Sequence, residues 1–396
     1  MAKLQLCVTL DLSKCFDVVP HSTLLEKLCA FGVDIEWFHS YLPGHTQQVR
    51  LGGAATRHAT PVSGAHTAVS GLPQHQACPT RRKSPQVFFR GGALSCILYA
   101  LFSNDLSSHI GDEVTTVCYA DDTTPLTSVR KSDLNLVISR MEAALQSAYQ
   151  WFCHNRLKVN AKKTQMVVIG IAAMLRNLPP ISLNSCGTRI VDSRVVKSLC
   201  VTIDRHLNYQ AHIDSITRKC TGILVALSHA RHVIPRRVLK VIVESLAVSV
   251  VRYCLSVYDS CGATQGHRIQ KILNFCARVV TGRRKFDHIA DTFDQLGWLN
   301  AQLISLHAVC AVGKAVASGV PESIAQTIGP PANQVHGHCT RNSNHRALPR
   351  IRTEAGRRRL CYRGVDILKG IGIEPTTASF KADAKTCLLL ESGGSE

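Results

Sequence analysis

Acidic side chains are scarce in this chain: 27 Asp and Glu stand against 46 Lys and Arg, a formal net charge of +19. That surplus makes a polyanion the default partner, with nucleic acid and an anionic membrane both eligible. Aromatics supply only 6% of the residues. No C-x-x-C pair occurs among the 17 cysteines, whose total is odd and whose spacing does not repeat. This argues against a zinc ribbon or disulfide framework and reads as reduced thiols in an intracellular chain. Long apolar runs are missing too. The longest, Val238 to Tyr258, carries Lys240, Glu244 and Arg252, so no stretch of about 18 uncharged apolar residues is there to span a bilayer. The first ten residues reach Asp11 with no apolar h-region or cleavage site, and a secretory leader is not expected. The expectation is a soluble or peripheral protein.

What is present is apolar material for a core: 45% of 396 residues are hydrophobic, enough for one large or two or three small domains. Leu4 to Leu10 reads as a strand, followed by a polar turn and a helix from His21. Gly44 to Arg90 is rich in Gly, Pro, Ser, Thr and His and lacks periodicity, too long for an ordinary loop. Ala93 to Leu106 has helical spacing. Glu113 to Thr124 reads as two short strands turning at Ala120-Asp121-Asp122, and Leu134 to Phe152 as an amphipathic helix. A turn and a strand at Met166 to Gly170 follow, then a strand region from Arg189 to Ile203. Helices are expected over Ile213–Val233, Arg237–Val257 and Gly266–Val280. Between His336 and Arg363 eight Arg meet one Glu, a composition that reads as loosely ordered and phosphate-facing.

Two acidic sites follow strand patterns, Asp11 and the pair Asp121-Asp122. Hard divalent cations need carboxylate oxygens on rigid backbone, and two-metal phosphoryl transfer needs carboxylates converging from separate elements. One Asp at a strand end and two at a hairpin tip supply that pattern, although either site alone would read as an ordinary surface turn.

Leu10-Asp-Leu-Ser-Lys-Cys-Phe-Asp17, Gly71-Leu-Pro-Gln74, Leu98-Tyr-Ala-Leu-Phe-Ser-Asn-Asp-Leu106, Tyr119-Ala-Asp-Asp122 and Leu157-Lys-Val-Asn-Ala-Lys-Lys-Thr164 stand in the order of the reverse-transcriptase motifs. They resemble those of LINE-type, jockey-like non-LTR retrotransposons. The resemblance continues through Ser198 to Asp204 with His212-Ile213, Ala277 to Gly282 with Asp287-His-Ile289, and Gly297-Trp-Leu299, and weakly at Pro349 to Arg357.

The resemblance implies an α+β fold: a reverse-transcriptase palm with an antiparallel sheet over 1–205, a helical thumb over 206–310 and a basic, partly disordered tail over 311–396. It implies RNA-directed DNA synthesis on a primer by two-metal nucleotidyl transfer. The partners would be an RNA template, a DNA primer and deoxynucleoside triphosphates, with Mg²⁺ as cofactor, no membrane, and the nucleus as the place of work. Asp11, Asp121 and Asp122 fall at the catalytic, metal-holding carboxylates. Lys14 and Cys15 would lend backbone amides to the triphosphate. Phe16 falls at an aromatic steric gate, with a plain core Phe as the alternative. Gln74 ends a motif that packs on nucleotide and template. Lys163 falls at a lysine placed near the leaving pyrophosphate, with an ordinary surface Lys as the alternative.

The chain also departs from that pattern. Only ten residues precede Asp11, so the fingers are expected to be largely missing and the copy truncated. His75 to Arg90 separates Gln74 from Gly91-Gly-Ala-Leu-Ser, and 75–90 reads as an aberrant insert. Cys200 stands where the family tends to have Gly. The alternative function is therefore a catalytically dead, nucleic-acid-binding remnant of a mobile element. Other candidates read blandly. His336, His338, Cys339 and His345 lack paired-Cys zinc spacing, Arg357-Arg-Arg359 is a phosphate patch or a solvated run, Cys118 and Cys153 lack an orienting group, and Trp37, Trp151 and Trp298 read as packing on helix faces.

Overall fold

Alternation of Leu4, Leu6 and Val8 with Gln5, Cys7 and Thr9 gives one apolar face at a period of two, and these residues form strand β1 (Leu4–Thr9). A computed structural model describes residues 3–13, 15–42, 50–51, 54–55, 93–258, 261–298, 302–320, 322–326, 328, 348, 351, 354–371, 380, 383–384 and 386–387. Lys14, Gln74, the 75–90 segment and the His/Cys group at 336–345 lie outside the described residues. The chain divides into two compact units, 1–199 and 200–396. It is a mixed, α+β molecule with antiparallel sheets.

In the first unit β1 lies inside a four-stranded antiparallel sheet. Its neighbours are β5 (Asp122–Val129) on one side and β6 (Gln165–Ile169) on the other, with β4 (Thr115–Tyr119) pairing β5 at the edge. Between β1 and β4 run α1 (Cys15–Val18), α2 (His21–Ala30), α3 (Glu36–Tyr41), the short pair β2 (Arg50–Leu51) and β3 (Ala54–Ala55), α4 (Ala93–Phe102) and α5 (Leu106–Ile110). Helix α6 (Leu134–His154) has the apolar spacing the sequence predicts. It buries Val137, Met141, Ala144, Leu145, Ala148, Trp151 and Phe152 in the same core as the β1 leucines, Leu24 and Leu28 of α2, and Leu98, Tyr99 and Phe102 of α4. At the end of β6, a Cβ on Gly170 would stand 2.5 Å from Leu4 Cδ2, so any side chain there would have to displace the Leu4 methyl. The ammonium of Lys27 donates to the Phe102 carbonyl at 2.8 Å and pairs with Asp105 while lying over the Phe102 and Trp151 rings. After α7 (Ala172–Leu175), β7 (Ser182–Ser185) and β8 (Thr188–Val191) form a two-residue hairpin. Its corner, Cys186 and Gly187, has φ 50° and 78°, the geometry that matches strand twist. Strand β9 (Val195–Ser198) ends the unit.

The second unit opens with β10 (Val201–Asp204). The Asp204 carboxylate accepts from the amides of His206 at 2.9 Å, Asn208 at 3.2 Å and Tyr209 at 2.5 Å, closing the turn into α8 (Gln210–Ala230). Helix α8 buries Ile213, Ile216, Cys220 and Leu224 against α12 (Ala263–Thr281), whose inner face is Ile269, Ile272, Leu273, Cys276 and Val280. The stretch 237–257 is not the single helix expected from its hydropathy. It runs as α9 (Arg236–Val243), a π turn over Glu244–Val248, α10 (Ser249–Arg252) and α11 (Leu255–Tyr258). Tyr253 is extended and Cys254 has φ 52°, which breaks the ladder. The Tyr258 hydroxyl donates to the Val251 carbonyl, so that end stays satisfied.

Helices α13 (Ala290–Leu296) and α14 (Gln302–Ser318) follow. Against the reading of 336–363 as loosely ordered, its last residues enter the helix Leu360–Ile371. That helix crosses α14 so closely at Gly364 that a Cβ there would collide with Val312. Two tryptophans depart from the helix-face reading. Trp37 is 54% exposed and stacks on Tyr41. Trp298 is buried but lies just past α13, where its indole N–H donates to Glu244 at 2.6 Å. Among the described residues no helix is long and apolar enough to cross a membrane.

Candidate active site

Register decides which side chains can meet. Antiparallel pairing of β1 with β5 sets Leu4 opposite Val129 and Cys7 opposite Leu126. The same register continues past the strand end, where Leu10 pairs Thr123 and its amide donates to the Thr123 carbonyl at 2.9 Å. One step further it sets Asp11 level with Asp122, the first residue of β5. On the other side β1 pairs β6 with Thr9 opposite Gln165. Past that pair the chain turns, with the Lys163 and Thr164 amides donating to the Asn160 carbonyl, and Asp11 comes level with Asn160.

The backbone of Asp11 is clamped from both directions. Its carbonyl accepts from the Asn160 amide at 2.8 Å, Ser13 donates to the Lys158 carbonyl at 2.8 Å, and Leu12 bridges Val159. The segment Leu157–Thr164 is thus a strap across the exit of β1. The acidic pair lies at the tip of the β4–β5 hairpin as its sequence predicts, with Tyr119 paired to Asp122 and Ala120 turning the corner at φ 51°. Rigid sheet backbone therefore delivers Asp11, Asp121 and Asp122 to one end of the sheet.

The electrostatics agree with that proximity. Burial, then the charges of Asp121 and Asp11, push the Asp122 carboxyl above its usual range. The Lys163 ammonium stands 3.6 Å from Asp11 Oδ2, an oxygen shielded from solvent that accepts no hydrogen bond. Tyr99, 1% exposed on α4, has its phenol pushed up first by burial and then by Cys15, Asp121 and Cys118. The tip residue Asp121 is thus among the charges that act on it. Sequence reasoning passed over Tyr99; the signal was one hydroxylated aromatic in the apolar run Ile97-Leu-Tyr-Ala-Leu-Phe102.

Cys15 opens the four-residue α1 and its thiol is buried, which leaves its backbone as what it could offer a ligand. The side chain of Phe16 lies outside what is described, as do Lys14 and Gln74. The structure brings together Asp11, Asp121, Asp122 and Lys163.

The oxygen-only donor set suits a hard divalent cation in kind, and crowding of like charge around Asp122 is what such a cation would relieve. Among the described residues, however, no group of three His, Cys, Asp or Glu side chains is gathered tightly enough to grip an ion. The carboxylates are neighbours without being closed on one point, and among the described residues the cation paired with Asp11 is Lys163.

A family model described as reverse transcriptase (RNA-dependent DNA polymerase) matches residues 1–203. The match covers just over half of the chain and takes in β1, the β4–β5 hairpin and the 157–164 strap. No curated protein matches the chain.

Proposed function

Because the chain belongs to the reverse transcriptase family, the RNA-dependent DNA polymerases, we propose that it is the polymerase of a non-LTR, jockey-like retrotransposon. It would extend a primer on an RNA template through Asp11, Asp121 and Asp122. The observation that carries this reading is the register continuation that sets Asp11 beside Asp122 at the mouth of the sheet.

In this reading residues 1–205 act as the palm and 206–310 as the thumb, and the work is done in the nucleus. Divalent ions, Mg²⁺ by preference, would when bound activate the primer 3′-hydroxyl and neutralise the leaving pyrophosphate. Asp11 and Asp121 are the ligands offered, and Asp122 is the carboxylate whose charge a bound cation relieves most. Lys163 has a long, exposed side chain able to leave Asp11 and meet phosphate oxygens. The Cys15 backbone would orient the triphosphate, and Lys14, Phe16 and Gln74 keep the roles that the motif resemblance gives them.

A second reading, a nucleic-acid-binding remnant without catalysis, is favoured by one observation: three carboxylates that are not closed on a single point. The two separate in primer extension on an RNA template, run with the chain as written, a chain lacking 75–90, and that shortened chain with Asp121→Asn. Mg²⁺-dependent synthesis by the second chain and none by the third supports the polymerase. Silence in all three, with circular dichroism confirming the fold, leaves the remnant.

A further inference from the structure

On the second unit a groove of about 600 Å³ runs between the end of α8, the outer face of α12 and the loop after α12. That volume is in the range of small-molecule sites, roughly 300–1,000 Å³. Its charged lining is Arg231, Lys271, Arg278, Arg283 and Lys285, with no acidic residue among them. A second concavity of about 550 Å³ shares Lys271 and Asn274 with it and extends toward His267 and Arg268. His267, Lys271, Asn274 and Arg278 recur at helical spacing, so the two hollows form one polar strip along α12, about 16 Å long at the helical rise. The opposite face of α12 is core.

The loop that completes the groove is built. Arg278 Nε donates to the Arg284 carbonyl at 3.1 Å, Arg283 to the His288 carbonyl, and the Arg284 amide to Asp287 at 2.7 Å. At its tip Phe286 is 89% exposed, with the Lys285 ammonium 5.4 Å from its ring centroid. Arg268 is paired with Asp214 at 2.6 Å, whereas Arg231, Lys271, Arg283 and Lys285 have no acidic partner among the described residues. Cations held together without counter-charge repel one another, and a polyanion is what relieves them.

We propose that this groove binds the phosphate backbone of a single-stranded nucleic acid, with Phe286 stacking on an unpaired base. Duplex bases are not free to stack, which favours the single strand. A lipid surface is disfavoured because the apolar face of α12 is already buried and unavailable to a bilayer. The site belongs to the second unit, and its binding does not depend on polymerase activity.

The test is fluorescence anisotropy of a labelled 15-nucleotide oligo(U) with the full chain, across a salt series, beside a blunt hairpin duplex and phosphatidylserine vesicles. All three substituted side chains are exposed, and folding is checked by circular dichroism. Lys271→Ala with Lys285→Ala is expected to make the log affinity against log salt slope shallower by about 1.4, two single-strand phosphate contacts. Phe286→Ala is expected to weaken the single strand roughly five- to a hundredfold with the slope kept and the duplex unaffected. Wild-type affinity and slope in both groove variants overturn the proposal. So does loss of vesicle binding with oligonucleotide binding intact, or an equal loss of duplex and single strand in Phe286→Ala.

Discussion

Lys163 Nζ lies 3.6 Å from Asp11 Oδ2, across the end of the β1–β6 ladder. The lysine is 68% exposed at its side chain and the carboxylate 33%, so the pair is worth no more than about 1 kcal/mol. A divalent cation offered to Asp11 must displace this ammonium. Replacing Lys163 by Gln is therefore expected to tighten divalent-ion binding by up to about fivefold, the equivalent of that energy, read by terbium luminescence with Mg²⁺ competition. Synthesis should fall in the same variant if the lysine also serves the leaving group. Unchanged ion affinity would mean that the pair does not guard the site.

Asp122 carries the cost of bringing three carboxylates together. Its folded-state value is raised by burial and by Asp121 and Asp11. The sign follows: stability is full below the unfolded value near 4 and is lost as pH rises through the folded one. At neutral pH the penalty is fully present. Asp122→Asn should then stabilise the protein by roughly half a kcal/mol, the scale of partly exposed charges, a degree or so in Tm, while synthesis drops. The gain should vanish below about pH 4. Thermal melts at pH 7 and pH 3.5 decide it, and equal gains at both would remove the electrostatic explanation.

Much of the first unit was legible because its signals are local. The period of two in Leu4–Leu10, the apolar stripe of α6 and the turn at Ala120 each specify an element without distant partners. The neighbourhood of Asp11 and Lys163 was not legible from spacing alone, because it depends on two strand registers that only the folded sheet fixes. The break at Tyr253-Cys254 was missed because hydropathy carries no information about a residue held at positive φ. Tyr99 was missed because its neighbours made it read as plain core.

Cys200 joins the two kinds of information. The motif resemblance sets it at a position where glycine is expected, and its φ is 63°, a left-handed conformation that costs a side-chain-bearing residue about 1 kcal/mol or more. Cys200→Gly is thus expected to stabilise the chain by about 1 kcal/mol less the flexibility added to the unfolded state. Urea denaturation of the two chains checks it, and a destabilised glycine variant would show that the cysteine side chain contributes packing that outweighs the strain.

His212 is a buried titratable group of the second unit. It is 6% exposed on α8, its Nδ1 accepts from the Thr202 amide at 3.4 Å, its Nε2 has no hydrogen-bond partner, and its ring meets Tyr258 edge-on at 4.9 Å. Burial lowers its value below the usual 6.5. Between the lowered folded value and about 6.5 the unfolded chain takes up a proton that the folded chain refuses, so stability falls as pH drops through that window. Urea midpoints measured at pH 7.5 and 5.5 should therefore decline toward acid. In His212→Gln, which keeps an acceptor for the Thr202 amide but cannot titrate, the starting midpoint should be lower from lost packing and the decline flatter. A decline of the same steepness in the variant would place the acid sensitivity on another group.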